Sequence, residues 1–169
     1  MSISWMIPTK NDPLGTVRAV ILSIWKATNL DRILLPLNGN TQITGPNIVT
    51  SAAQIEKFNP FTPLMPINAT KMIPNLSSGN KKVAAVLRPC EMRTLHGTAI
   101  HNEVYKRKLL TISVDCLGTL PADEFEWRAQ RKGSLKGLAQ EVLKFARQGG
   151  IVPYRYRTAC QICESPEAS

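Results

Sequence analysis

Residues 81–90 read KKVAAVLRPC, and this stretch decides the fold. The run from Val83 to Leu87 is apolar at every position and lies between two lysines and an Arg-Pro pair. Short continuous apolar runs of this kind are typical of strands that are buried on both faces of a sheet. The stretch therefore predicts a buried strand over 81–87, with Cys90 directly beyond its end.

The same arrangement recurs further along the chain, where residues 109–116 read LLTISVDC. This stretch predicts a second strand over 109–115 that ends in Cys116, and the residues between the two strands predict a helix over 91–102. Open α/β sheets bind their ligands in a crevice outside the strand ends. Both cysteines are therefore candidates for one ligand site.

The N-terminal region predicts a further helix and strand. Asp12 and Pro13 are residue types that favour a helix start, and apolar residues then recur with helical spacing, which predicts a helix over 15–28. The apolar block 31–37 predicts a short buried strand, and the Asn-Gly-Asn triplet at 38–40 predicts a turn.

The remaining regions are less regular. Residues 41–80 are rich in Pro, Asn and Thr, and they predict loops, one helix over 51–58 with Ser51 as its cap, and one or two helical turns over 68–77 that are interrupted at Pro74. Helices are predicted over 124–130 and 135–148, and the last residues predict a loop.

Together these elements predict an α/β fold in one domain over 1–169. We expect a small mixed or parallel sheet with flanking helices and a loop-rich crevice at the strand ends. A CxxC loop at 158–166 is part of the same domain. An apolar share of 43% in 169 residues is sufficient for one buried core.

Composition also bears on location and partners. No apolar block approaches the roughly 20 residues of a membrane span, and the N-terminal residues lack the pattern of a secretory signal, so we expect a cytoplasmic protein. The net charge of +9 is spread along the chain. Spread charge favours a solvated face or docking to an acidic partner over binding to nucleic acid.

The sequence contains four cysteines, and their pattern suggests a metal centre. Cys90 and Cys116 are isolated, whereas Cys160 and Cys163 form a CxxC pair. Thiols in a reducing compartment are more often metal ligands or reactive groups than disulfide partners. The count fits either zinc or an iron–sulfur cluster; structural zinc usually uses two CxxC-like pairs, so a single pair favours the cluster. A redox dithiol at 160–163 with two unrelated buried cysteines is the other alternative.

Three arginines lie within three sequence positions of a cysteine, namely Arg88, Arg93 and Arg157. Four thiolates around an oxidised four-iron core carry a net charge of about −2, which a partly buried site has to offset. The three guanidinium groups are candidates for this role.

Four segments of the chain resemble one known family. In order, they are DPLGTVRAVILSIW at 12–25, VAAVLRPCEMRTL at 83–95, LLTISVDCLGT at 109–119 and TACQICESP at 158–166. They resemble the beta subunits of coenzyme-dependent hydrogenases and formate dehydrogenases, which include the deazaflavin-reducing hydrogenase. The resemblance extends from about Lys10 to Pro166 and is most specific at the three cysteine motifs.

The resemblance implies one four-iron, four-sulfur (4Fe-4S) cluster held by Cys90, Cys116, Cys160 and Cys163. It also implies FAD next to the cluster, with Asp12, Gly15 and Thr16 as flavin contacts at the start of the first helix. Family members usually continue beyond the CxxC motif into a region that completes the flavin and coenzyme sites. We therefore expect either that another chain supplies this region, with the hydride chemistry and part of any FAD site, or that this protein keeps the cluster and has lost the hydride chemistry.

Two functions follow as alternatives. The first is an electron-transfer subunit of a cytoplasmic oxidoreductase complex, which works in a hetero-oligomer with formate dehydrogenase, hydrogenase or similar subunits. The second is a basic interaction module that zinc stabilises and that has no redox role. A complete flavoenzyme is a further possibility.

Overall fold

The computed structural model describes residues 5–38, 45–76, 80–99, 109–147 and 155–168. Within these ranges the strands are β1 (Arg32–Leu37), β2 (Gly45–Val49), β3 (Val83–Leu87) and β4 (Leu109–Ser113). The α-helices are α1 (Pro13–Thr28), α2 (Ile73–Leu76), α3 (Pro89–Ala99), α4 (Ala122–Lys132), α5 (Leu135–Arg147) and α6 (Thr158–Gln161). Two 3-10 helices cover Ala52–Lys57 and Ala69–Met72.

The strands form one mixed sheet in the order β2-β1-β3-β4. β1, β3 and β4 are parallel to one another, and β2 runs antiparallel to β1. The predicted fold class, a small mixed α/β sheet with flanking helices, is confirmed. Because three strands are parallel, their carboxyl ends lie at one edge of the sheet.

β3 is buried at every position because both faces of the sheet are covered. Ala84 and Val86 join a core cluster with Ile21 of α1, whereas Val83 and Leu87 join a second cluster on the opposite face. The second cluster includes residues of α2 and α3. Layers on both faces explain why the strand is continuously apolar rather than alternating.

Helix α1 shows how local signals set its ends. The Asp12 carboxylate accepts a hydrogen bond from the backbone N–H of Gly15 at 2.9 Å, and Pro13 occupies the first helical position. Asn29 adopts a left-handed conformation that ends the helix. The predicted helix over 15–28 is confirmed, with a start two residues earlier.

The region 41–80 contains a strand that the sequence analysis assigned to loops. Strand β2 has the sequence GPNIV, and Pro46 lies opposite Pro36 of β1. Proline donates no backbone hydrogen bond and is confined to edge positions or strand ends, so its presence masked the strand.

Two helical predictions in this region need correction. The segment after Ser51 is a 3-10 helix, and the Ser51 side chain makes no capping hydrogen bond. Pro74 does not interrupt a helix, because it is the second residue of the single-turn helix α2, where a missing N–H costs nothing.

The C-terminal third adds a helical pair and a short helix. α4 and α5 meet in a third cluster in which Leu64 and Leu120 pack with Phe125 and Leu138. The last residues, predicted as a loop, contain the helix α6. The turn residues 39–40, the helix end at 100–102 and the residues 148–150 lie outside the described residues. None of the described helices has both the length and the apolar character that a bilayer crossing requires.

The turn after β4 packs directly against the C-terminal segment. Gly118 has a φ of +87°, and a Cβ added there would lie 2.5 Å from the ring of Tyr156. Gly133, between α4 and α5, also has a positive φ of +69°, but a Cβ there would meet nothing within 4 Å. A side chain at Gly133 would therefore meet backbone strain alone, whereas a side chain at Gly118 would meet both backbone strain and steric overlap with Tyr156.

We predict that Gly118→Ala lowers the free energy of unfolding clearly more than Gly133→Ala. Gly133→Ala costs about 1–2 kcal/mol through the left-handed backbone alone. Gly118→Ala adds about 1–3 kcal/mol because the Tyr156 ring has to move. Urea denaturation of both variants measures the difference. In a Tyr156→Ala background the cost of Gly118→Ala should fall to that of Gly133→Ala, and an unchanged cost would refute the overlap.

Candidate metal centre

Cys90 and Cys116 occupy equivalent positions beyond the ends of neighbouring parallel strands. The last paired residues of β3 and β4 are Leu87 and Ser113, which lie opposite each other. Each cysteine follows its paired residue by three positions. The parallel register therefore places both thiols at the carboxyl edge of the sheet.

The CxxC pair reaches the same edge because the C-terminal segment is hydrogen-bonded to the turn after β4. The backbone N–H of Arg157 donates to the carbonyl of Thr119 at 2.9 Å, just before α6. Beyond α6, the N–H of Cys116 donates to the carbonyl of Pro166 at 2.8 Å. These two bonds flank Cys160 and Cys163 and hold them over the turn.

All four thiols are free, and they influence one another electrostatically. Partial burial raises the pKa of the Cys90 thiol, and negative charge on Cys116 and Cys160 raises it further. Burial also raises the pKa of Cys116, and negative charge on Cys160 and Cys163 raises it further. The structure thus brings the four predicted ligands into one neighbourhood in which four thiolates would repel each other.

Three of the four sulfurs have a hydrogen-bond donor beside them. The N–H of Gly118 donates to Cys116 Sγ at 3.4 Å, and the Thr119 hydroxyl lies 3.2 Å from Cys160 Sγ. A guanidinium nitrogen of Arg93 lies 4.0 Å from Cys163 Sγ. Donors in these positions stabilise negative charge on sulfur.

The three predicted arginines occupy different positions around the thiols. The Arg88 guanidinium donates to the carbonyls of Thr62 and Leu64 at 2.9 and 3.0 Å, and its charge lowers the pKa of Cys90 and Cys116 against the effect of burial.

Arg93 connects α3 to the C-terminal segment, since its guanidinium also donates to the carbonyl of Ser165 at 3.0 Å. Arg157 contributes through its backbone, because its carbonyl accepts hydrogen bonds from Cys160 and Gln161 at the start of α6.

Glu91, which was not among the predicted site residues, organises the start of α3. Its side chain is only 5% exposed, and its two oxygens accept from the N–H groups of Ala69 and Arg88 at 2.7 and 2.9 Å. A glutamate at the third helical position that reaches back to the residue before the helix is half of a capping box, so a sequence signal was present.

Two further residues were missed, Thr119 and Tyr156. Thr119 is buried beside Cys160, and the half-buried Tyr156 covers Gly118. Burial raises the pKa of Tyr156, Arg128 lowers it, and charge on the nearby thiols raises it further. Thr119 lies inside the motif LLTISVDCLGT, but no residue pattern marked it as a partner of Cys160.

The predicted flavin contacts Asp12, Gly15 and Thr16 bond to each other at the start of α1. Besides the Gly15 bond, the Thr16 hydroxyl donates to the Asp12 carbonyl at 2.7 Å. Arg18 of the same helix donates to the carbonyl of Phe58, which is bridged to the end of β1, so this helix start also lies towards the carboxyl edge. No hydrogen bond or ion pair among the described residues joins the three to the cysteines.

An apolar groove adjoins the candidate centre at the same edge. Its cavity volume is only about 30 Å³, and it is lined by Leu64, Val86 and Val114 together with several prolines. Arg88 and Glu91 contribute its polar lining.

The fit of a metal differs between a single ion and a cluster. Within the described ranges, no three His, Cys, Asp or Glu side chains converge closely enough to hold a metal ion. Four thiolates on one zinc ion would lie within about 4 Å of each other, given Zn–S bonds of about 2.3 Å. In a four-iron cluster each thiolate binds its own iron, so the sulfurs stand further apart. The donor set of four thiols with N–H and O–H groups fits a cluster.

The comparisons with known proteins bear on the fold. No protein-family model matches the chain, and no curated protein matches it. Among solved structures, it is similar to a chain of the F420-reducing NiFe hydrogenase complex from Methanosarcina barkeri, with a TM-score of 0.55 and 14% sequence identity. The similarity covers 69% of this chain and 42% of that chain. The α/β fold described above is thus shared with one component of a multi-subunit redox complex.

Proposed function

We propose that the protein is an iron–sulfur electron-transfer subunit of an oxidoreductase complex. Two observations carry the proposal. Hydrogen-bond donors lie beside the sulfurs of Cys116, Cys160 and Cys163, and Cys90 is close enough to Cys116 and Cys160 for their charge to raise its pKa. A site of this kind stabilises several thiolates at once, which is what a cluster requires.

The similarity in fold supports the redox part of this proposal. F420 is a deazaflavin coenzyme, and the similar chain belongs to a complex that reduces it. The cysteine motifs resemble the beta subunits of such complexes. On this basis we propose that the protein works in a hetero-oligomer and relays electrons between a partner subunit and a flavin or another acceptor, in the cytoplasm.

The chain's own residues would serve this function in distinct ways. A bound cluster supplies a one-electron carrier. The four cysteines hold it, and the backbone bonds on either side of α6 fix the CxxC pair relative to Cys116. Arg88 and Arg93 offset its negative charge from two sides, and Arg157 anchors the helix that carries Cys160.

We predict that Cys→Ser at any one of the four cysteines abolishes or converts the cluster. A serine hydroxyl is a far weaker ligand for iron than a thiolate, and each cysteine has a separate iron to bind. Anaerobic purification with native partners, followed by iron, sulfide, zinc and flavin quantification and by spectroscopy of the reduced centre, measures the outcome. About four iron and four sulfide per chain are expected in the unsubstituted protein.

Ile162→Ser is the matched control for the CxxC loop, because Ile162 lies between the two cysteines and is 75% exposed. Its iron content should equal that of the unsubstituted protein. Full iron content in Cys90→Ser would remove Cys90 from the ligand set. One zinc per chain without sulfide would support the alternative of a zinc-stabilised interaction module and would refute the redox function.

FAD is the second cofactor of this proposal, shared with another chain. The resemblance gives Asp12, Gly15 and Thr16 as its contacts. The Asp12 carboxylate already bonds to the helix start, and its negative charge opposes a pyrophosphate there.

We predict that Asp12→Ala lowers the free energy of unfolding by about 1 kcal/mol, because the helix loses its cap. Because the Asp12 carboxylate disfavours a pyrophosphate, Gly15 and Thr16 are the contacts that we propose to keep from this set, and flavin content in the complex should stay unchanged. Asp123→Ala, in the first turn of α4, is the control and should cost only a few tenths of a kcal/mol. Loss of flavin in Asp12→Ala at unchanged stability would show instead that Asp12 contacts the flavin.

A further inference from the structure

Thr119 is a buried polar residue in the turn that follows β4. Its side chain is only 2% exposed, and its hydroxyl oxygen lies 3.2 Å from Cys160 Sγ. The residue is three positions beyond Cys116, so one turn contacts both an isolated cysteine and the CxxC pair. A buried hydroxyl needs a hydrogen-bond partner, and here the partner is sulfur.

The position of this hydroxyl is fixed by the backbone around it. The Thr119 carbonyl accepts from Arg157, and the N–H of the next residue, Leu120, donates to the carbonyl of Pro63 at 2.8 Å. On the other side, the Tyr156 ring packs on Gly118. The backbone that carries the hydroxyl is thus held on both sides of Thr119.

The direction of the hydrogen bond depends on the state of the sulfur. In the free thiol either atom can be the donor. A metal-bound thiolate has no proton, so Thr119 has to donate. A hydrogen bond to a charged acceptor is stronger than one between neutral groups, and burial increases its strength further.

We infer that Thr119 is a positioning residue that holds Cys160 in place and raises the reduction potential of the proposed centre. This inference rests on the proposed iron–sulfur function and adds to it a residue that is not a ligand. An electron that dithionite donated to an oxidised cluster held here would add negative charge to the ligand sulfurs and would break no bond. A hydroxyl donor stabilises that charge, and hydrogen bonds to the sulfurs are one of the factors that set cluster potentials.

The decisive comparison is between Thr119→Val and Thr119→Ser. Valine keeps the shape of threonine and removes the hydroxyl, whereas serine keeps the hydroxyl and removes a methyl group. Thr28→Val is the control. The Thr28 hydroxyl donates to the Ile24 carbonyl in the last turn of α1, at the end of the helix opposite Asp12.

Each purified chain is reconstituted anaerobically with ferrous iron and sulfide and then titrated with dithionite against redox mediators of known potential. At a fixed potential, Thr119→Val should show about a fivefold lower ratio of reduced to oxidised cluster, which is about 40 mV for a one-electron couple. Thr119→Ser and Thr28→Val should stay within twofold of the unsubstituted chain. Circular dichroism checks that each variant folds.

Equal potentials in Thr119→Val and the unsubstituted chain would overturn the inference and leave the proposed function intact. Loss of iron from Thr119→Val would support the positioning role if Thr119→Ser keeps both iron and potential. Loss of iron from both folded variants would show that packing at this position, and not the hydroxyl by itself, holds the centre, and would overturn the inference. An unsubstituted chain that binds no iron would overturn the proposed function, and the inference with it.

Discussion

The parallel pairing of β3 with β4 is the constraint on which the candidate centre depends. Leu87 and Ser113 are paired at the ends of the two strands, so β3 and β4 both end at the same level of the carboxyl edge. A slip of one residue in this register would turn every side chain of β4 to the other face and would separate Cys90 from Cys116. Burial of β3 on both faces makes such a slip costly, since apolar side chains would leave both core clusters.

The second half of the site is held by the backbone rather than by a core. Residues 155–168 contribute Tyr156 to the third cluster, and hydrogen bonds attach them to the sheet edge: the backbone pair that surrounds α6, the bond from Arg93 to the Ser165 carbonyl and the bond from the Ala168 N–H to the Asp115 carboxylate. Short segments of this kind gain little from apolar burial. A bound cluster that cross-links Cys160 and Cys163 to the two strand-end cysteines would add four covalent attachments, so metal binding and the order of this segment should be coupled.

The sequence predicted those parts of the fold in which local signals and tertiary packing agree. Helix α1 has a cap, a proline at its first position and a left-handed end, and β3 is an unbroken apolar run. Strand β2 was missed because Gly45 and Pro46 oppose strand formation locally, and only pairing with β1 overrides them.

Within the site, the sequence predicted where the cysteines lie along the chain but did not predict which side chains contact them. The ends of β3 and β4 placed Cys90 and Cys116 together, because parallel strands share an edge. The contact between Thr119 and Cys160 joins residues 41 positions apart, and no periodic pattern reports such a contact.

Burial and nearby charges set the pKa values of the two strand-end cysteines, Cys90 and Cys116. The buried carboxylate of Glu91 fixes the start of α3 but raises the pKa of the adjacent Cys90, and burial raises the pKa of Cys116. Both thiols therefore keep their protons more firmly than a free cysteine. A cluster at the proposed centre would have to displace those protons, and the positive charge of iron would make the exchange favourable. Arg88, Gly118 and Thr119 would then stabilise the same sulfurs as anions.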